Sequence, residues 1–234
     1  MAQKKLERFA AIKTFSNVLE YPVEMKGKWG DFFLNKNPII LELACGRGEY
    51  TVGMARLFPN RNFIGVDVKG NRMYIGAKKC LAENLDSAAF LRTQIEKLTD
   101  YFAEGEVDEI WITFPDPQLR ISKAKKRLTH PRFLRLYQQI LKPGGPVHLK
   151  TDSPDLYLFT KRVANLYGLT IVEDSDNVYG EKDIKEELKI KTHYESLDIA
   201  QSKKIHYLKF TLPAIIKNMD DQLQEILRDE EQLD

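Results

Sequence analysis

The stretch Ile39-Ile40-Leu41-Glu42-Leu43-Ala44-Cys45-Gly46-Arg47-Gly48-Glu49-Tyr50 decides how the chain is read. A short apolar run gives way to a glycine pair, and a helical pattern begins at Glu49. An apolar run closed by a turn signal suits a strand buried on both faces. Gly46 and Gly48 allow a tight turn and the close approach of a ligand to the backbone. The helix that follows offers its free N–H groups beside that turn. The expectation is a ligand loop at the carboxyl end of a first strand.

Outward from this loop the pattern alternates. Glu49–Phe58 reads as a helix stopped by Pro59-Asn60, and Asn62–Asp67 as a second strand ending in an acid. Asn71–Asn84 fits a helix with Met73, Ala77, Cys80 and Leu81 facing inward; Ala88–Leu91 is a third strand, and Ile95, Leu98 and Phe102 recur at helical spacing. Asp108–Phe114 is a fourth strand, Pro131–Leu141 a helix stopped by Lys142-Pro143-Gly144-Gly145, and Val147–Thr151 a fifth strand. Ser153-Pro154 opens a helix to about Tyr167, and Leu169–Val172 is a sixth strand. Strands alternating with helices imply a mostly parallel sheet covered on both faces. Residues 175–204 read as a polar loop with a short helix, and Ile205–Leu212 as one last strand. The expected division is a basic N-terminal arm over 1–37, carrying Lys4, Lys5, Arg8 and Lys13, a central domain over 38–212, and an acidic tail over 213–234. From Asp220 onward that tail holds seven acids and one arginine, which suits a solvated helix or a partly disordered end.

The 234 residues suffice for one sizeable core, and 43% hydrophobic with 30% charged residues is ordinary for a globular protein. Two cysteines, Cys45 and Cys80, are too few for a disulfide framework and lack metal-ligand spacing. No apolar run reaches membrane-spanning length, and the N-terminus shows no signal-peptide core, so a cytoplasmic protein without membrane or metal partners is expected. Monomer and homodimer stay open.

The loop's ligand is the next question. A dinucleotide fingerprint needs a third glycine where this chain has Thr51, whereas Glu42 stands four residues before Gly46. This order resembles motif I of class I S-adenosylmethionine methyltransferases, whose ligand has no pyrophosphate to admit. Asp67, 21 positions after Gly46, is placed to accept from ribose hydroxyls, a role common to nicotinamide and S-adenosylmethionine proteins. Gln94, just past the third strand, can meet an adenine edge through its amide.

The most informative stretch is Thr113-Phe114-Pro115-Asp116-Pro117-Gln118, because it leaves the fourth strand on the same sheet edge as Gly46 and Asp67. Ligands of open α/β sheets bind at that edge, and an Asp between two prolines has a stiff backbone that aims its side chain. A basic run follows: from Pro117 to Thr151 there are nine Lys or Arg and no Asp or Glu, in a chain whose net charge is only +2. A one-sided patch beside a ligand edge is what a phosphate backbone needs. Lys150-Thr151-Asp152 ends the fifth strand, and Lys191-Thr192-His193-Tyr194-Glu195 lies in the polar insertion, where His193 reads as a surface residue rather than a catalytic base.

Taken together these residues resemble the bacterial tRNA (guanine-N7-)-methyltransferase family. The resemblance spans Ile39 to Leu212 and rests on Glu42 with Gly46-Arg47-Gly48, Phe114-Pro115-Asp116-Pro117 followed by Lys125-Lys126-Arg127-Leu128, Lys150-Thr151-Asp152, and Thr192-His193-Tyr194-Glu195. It implies a Rossmann-like α/β fold with a final antiparallel strand, S-adenosylmethionine as cofactor, and methyl transfer to N7 of a variable-loop guanosine in tRNA. It further implies cofactor contacts at Glu42, Gly46, Gly48, Asp67, Gln94 and Asp116, with Asp116 as the catalytic residue. Substrate contacts fall on Arg120, Asp152, Thr192, His193, Tyr194 and Glu195, and RNA contacts on Lys123, Lys125, Lys126 and Arg127. The chain departs from the family pattern at Gln118, where a Trp is usual, at Ile121-Ser122-Lys123, which interrupts a basic run, and at Gln94, where the family has an acid. A methyltransferase acting on another nucleic-acid base and a non-catalytic RNA-binding relative are the rival readings. The first is disfavoured because Asp116-Pro117-Gln118 lacks the Asp-Pro-Pro-aromatic order of adenine-amine enzymes, and the second predicts cofactor binding without turnover.

Overall fold

The computed structural model describes residues 2–193, 195–197, 201 and 203–231. Its strands are β1 (Val18–Glu20), β2 (Ile39–Leu43), β3 (Asn62–Asp67), β4 (Ala88–Arg92), β5 (Glu109–Thr113), β6 (Pro146–Thr151), β7 (Thr170–Ser175) and β8 (His206–Thr211). Its helices are α1 (Ala2–Ile12), α2 (Trp29–Phe33), α3 (Glu49–Leu57), α4 (Gly70–Ala82), α5 (Leu98–Tyr101), α6 (Pro131–Gln138), α7 (Pro154–Tyr167) and α8 (Asp220–Glu231).

All five residues of β2 are buried, as a strand in the middle of a parallel sheet demands. It pairs in parallel with β3 on one side and β5 on the other, and the sheet runs β1-β4-β3-β2-β5-β6-β8-β7. Strand β8 enters antiparallel between β6 and β7, so the expected final antiparallel strand is present. Two apolar clusters cover the two faces. One gathers Leu41, Leu43, Ile110, Leu149, Phe159 and Leu208; the other gathers Tyr50, Phe63, Phe90, Trp111, Tyr207 and Leu188. The alternation of side chains along each strand divides them between the faces.

Local chemistry sets the ends of the helices. Ser153 caps α7 by accepting from the Leu156 N–H at 3.2 Å, Pro154 occupies the first turn, and Gly168 ends the helix at φ 69°. Several boundaries shift from expectation by a few residues. Of the four α4 residues expected inward, Met73, Ala77 and Cys80 are buried, while Leu81 is 38% exposed on the outer face of the helix.

Both termini join the fold. The segment expected as a basic arm supplies strand β1, parallel to β4, and Trp29, which is fully buried, stacks on Phe102 and donates its Nε1–H to Tyr101 O at 2.9 Å. The acidic tail supplies α8, which is docked rather than solvated: Leu223 and Leu227 are buried one turn apart, and Asp220 takes two hydrogen bonds from Arg135 and one from Tyr167. The apolar pair at i, i+4 gives this otherwise acidic helix a core-facing stripe. No helix among the described residues is long and apolar enough to cross a membrane.

Candidate active site at the carboxyl edge of the sheet

The parallel strands all point their carboxyl ends at one edge, and a cleft of about 960 Å³ opens along it. Its walls come from successive strand ends: Ala44 and Gly46 after β2, Asp67 at the end of β3, Gln94 after β4, Phe114 to Pro117 after β5, and Asp152 after β6. The backbone bends sharply there. Ala44 sits at φ 57°, Phe114 at φ 46° and Gln118 at φ 49°, all left-handed and none a glycine. For a bulky residue such as Phe114 this conformation is uncommon and costs strain. The Phe114 N–H still donates to Lys150 O at 2.8 Å, so the sheet pairing extends to Phe114 and the chain turns away there.

Asp67 ties the first loop in place. Its Oδ2 accepts from Gly46 N–H at 2.9 Å and its Oδ1 from Lys69 N–H at 2.8 Å. A carboxylate has about four lone-pair sites, so each oxygen keeps one for a ligand. Asp116 is exposed, and its Oδ1 accepts from Gln118 N–H at 3.0 Å, which fixes the turn between the two prolines.

One residue of β2 and one of the glycine loop stand behind the cleft. Glu42 is 5% exposed and does not line it. Its Oε2 accepts from Thr51 N–H at 2.8 Å and from the Thr51 hydroxyl, and its Oε1 accepts from the Thr113 hydroxyl at 2.7 Å. Burial pushes the Glu42 carboxyl up to about 7, against the lowering effect of these hydrogen bonds. Gly48, at φ 72°, is required by packing, since a Cβ there would lie 2.4 Å from the ring of Phe90.

The basic run divides in two. Lys123, Lys125 and Lys126 are exposed along a 3-10 turn over Ile121–Lys126, Lys126 lines the cleft, and Arg120 stands exposed at the start of that turn. Arg127 is only 5% exposed; its guanidinium donates to Gln118 O at 3.2 Å and Leu119 O at 3.1 Å and lies 4.4 Å from the ring of Phe159. Arg127 therefore anchors the loop from inside.

Thr192, His193 and Glu195 do not line the cleft; they belong to a strap whose described residues are 178–193 and 195–197. Thr192 Oγ1 accepts from Glu195 N–H at 3.2 Å, and His193 O accepts from the Ser196 hydroxyl at 2.6 Å. Tyr194 lies outside the described residues. The cleft also holds residues that sequence reasoning passed over, among them Lys69, Arg72, Glu96 and Asp155, and it holds Arg132 of the basic run. Position after a strand end was a usable signal for Lys69 and Glu96, and the one-sided basic run was one for Arg132.

The comparisons with known proteins fit this geometry. A family model described as "putative methyltransferase" matches residues 36–208. The tRNA (guanine-N(7)-)-methyltransferase of Porphyromonas gingivalis is 50% identical over 213 residues, covering 86% of each chain. That of Bacteroides fragilis is 46% identical over 222 residues, covering 91% of this chain and 87% of the relative. The chain belongs to the tRNA (guanine-N(7)-)-methyltransferase family. Among solved structures, the 16S rRNA methyltransferase KamB superposes with a TM-score of 0.62 over 84% of this chain and 99% of its own, at 16% identity, a likeness of fold. In family terms, the cleft brings Gly46, Asp67, Gln94, Asp116 and Asp152 to one edge, and sets Glu42, Gly48 and Glu195 behind or beside it. Its volume falls in the range of about 300–1,000 Å³ usual for ligand sites, and carboxylates at the strand ends suit both ribose hydroxyls and a sulfonium.

Proposed function

We propose that the chain methylates N7 of the variable-loop guanosine of tRNA in the cytoplasm, with Asp116 as the catalytic residue. Membership of the family carries the enzyme class and the cofactor, S-adenosylmethionine, which supplies an electrophilic methyl group on a sulfonium. Asp116 carries the residue assignment: an exposed carboxylate, stiffened by Pro115 and Pro117, at the lip of the cleft and at the start of the basic loop.

In this reading Asp67 accepts from the ribose hydroxyls, Gln94 meets the adenine edge, and the Gly46 turn leaves room for the cofactor. Glu42 and Gly48 act through the loop they hold. Guanine N7 bears no proton, so no residue has to remove one. Positive charge builds on the guanine ring as the methyl group arrives, and the Asp116 carboxylate stabilises it. Asp152 and Thr192–Glu195 hold the guanosine, Arg120 and the three exposed lysines meet phosphates, and Arg127 keeps their loop in shape.

The test is incubation with labelled S-adenosylmethionine and unmodified tRNA, followed by identification and mapping of the methylated nucleoside. Label in 7-methylguanosine of the variable loop is expected. Label in another base, or cofactor binding without transfer, would overturn the reading.

A further inference from the structure

We infer that buried Lys150, with Glu195 and Tyr179, positions the guanosine-holding segment and ties it to the Asp116 turn, an inference that rests on the function proposed above. Lys150 leaves the end of β6 and is fully buried. An ammonium has three donors, and here each has one acceptor: Leu188 O at 2.9 Å, Ile190 O at 2.9 Å and Glu195 Oε2 at 3.1 Å. The rings of Tyr50, Phe114 and Tyr179 lie 5.7, 5.4 and 5.7 Å from the same nitrogen. Burial pulls this ammonium below the usual lysine range, and the Glu195 carboxylate opposes that pull.

All three acceptors belong to the strap, so Lys150 serves the segment above the sheet rather than the sheet itself. Tyr50 adds a fourth bond in the same direction, from its hydroxyl to Glu187 O at 2.5 Å. The Glu195 side chain is 6% exposed, with Oε2 on Lys150 and Oε1 accepting from the Tyr179 hydroxyl. Two fixed donors set the plane of the carboxylate and leave one lone-pair site on each oxygen. A carboxylate so fixed matches the paired N1–H and amino donors of guanine, a pair that adenine lacks. Lys150 also touches the other half of the site: its carbonyl accepts from Phe114 N–H, and its ammonium faces the Phe114 ring that lines the cleft. One residue thus holds both the recognition segment and the first residue of the catalytic turn.

Lys150→Met keeps the stem and removes the three donors. With tRNA as substrate we expect KM to rise by roughly tenfold or more and the single-turnover rate to fall, while the calorimetric Kd for S-adenosylmethionine stays within about twofold. Glu195→Gln should account for most of this loss, so the double variant should be little worse than Glu195→Gln alone. Tyr179 is 39% exposed, so Tyr179→Phe should fold normally and raise the tRNA KM by about two- to threefold. The inference falls if the losses in the double variant multiply, if cofactor affinity weakens in parallel with tRNA KM, or if Tyr179→Phe keeps the parent KM. Should Lys150→Met not fold, the Tyr179→Phe and Glu195→Gln pair decides by the same criteria. A parent that leaves tRNA guanine unmethylated, or a Glu195→Gln variant with the parent's kcat/KM, would instead strike the functional reading beneath it.

Discussion

The loop that follows Phe114 and the strap over Lys150 are two irregular segments, and each is held by one buried cation in a different way. The loop over 115–127 is held from within by its own last residue, Arg127, whose flat guanidinium spans two neighbouring carbonyls and packs on Phe159. The strap over 178–197 is held from beneath by Lys150, whose compact ammonium gathers three acceptors that converge on it. Fork and point charge are suited to these two geometries and are not interchangeable. The difference has a functional consequence. The loop keeps Lys123, Lys125 and Lys126 in solvent, while the strap keeps the Glu195 carboxylate fixed and nearly out of solvent. Under the function proposed above, the loop serves phosphate contact and chemistry and the strap serves recognition.

The largest effect should come from Asp116, the residue proposed as catalytic. Asp116→Asn keeps the shape and one acceptor but loses the charge, and should lower kcat on the order of 10²–10³ with S-adenosylmethionine affinity nearly unchanged. On the strap side, Thr192→Ala removes the acceptor of Glu195 N–H and should raise KM for tRNA a few-fold at nearly constant kcat. Single-turnover rates and tRNA titrations on both variants test the division. If Thr192→Ala loses kcat as heavily as Asp116→Asn, recognition and chemistry are not separated in this way.

The next effect separates cations of one run. Replacing Lys123, Lys125 and Lys126 together by Ala should weaken tRNA binding and lower the log–log salt slope by roughly 0.7–0.9 per lost phosphate contact, at an unchanged melting temperature. Arg127→Met should instead lower the melting temperature, because it strands two carbonyls, and weaken tRNA binding only by loosening the loop. A salt slope reduced equally by Arg127→Met would make it a phosphate contact like its neighbours.

That contrast also marks what the sequence can carry. The alternation of apolar runs with helical periods exposed most of the parallel sheet, because the burial of β2, β3 and β5 on both faces leaves a compositional trace. The placement of Asp67, Gln94 and Asp116 on the cleft edge was legible because the edge of such a sheet is fixed by topology. Arg127 and Lys150 were not, since their burial depends on where distant carbonyls fall, and a lysine in a strand reads as a surface residue. Strand β1 is three residues long and too short for a pattern, and α8 hid its Leu223–Leu227 stripe among acids. The glycine of Gly48 was legible, but the ring of Phe90, which also calls for a glycine there, was not.

The smallest predicted effect concerns a third buried ionisable group, which has hydroxyls where Glu195 has an ammonium. Glu42 sits between Thr51 and Thr113, and its carboxyl is pushed from 4.5 to about 7 because no cation offsets the loss of water. A carboxyl raised on folding binds its proton more tightly in the folded state. Its contribution is fully present below about 4.5 and is lost as pH rises through about 7. Each tenfold gain in proton affinity is worth about 1.4 kcal/mol, so the loss is at most roughly 3 kcal/mol, or several degrees in melting temperature for a chain of this size. Glu42→Gln offers an oxygen to Thr51 N–H and an amide to the Thr113 hydroxyl without any charge to bury. Its melting temperature, taken relative to the parent, should be lower or equal at pH 5 and should climb past the parent between pH 6 and pH 8. A difference that stays flat across that range would mean that Glu42 is ionised in the folded chain at both ends of it, and that hydroxyls alone serve a buried carboxylate here as well as Lys150 serves Glu195.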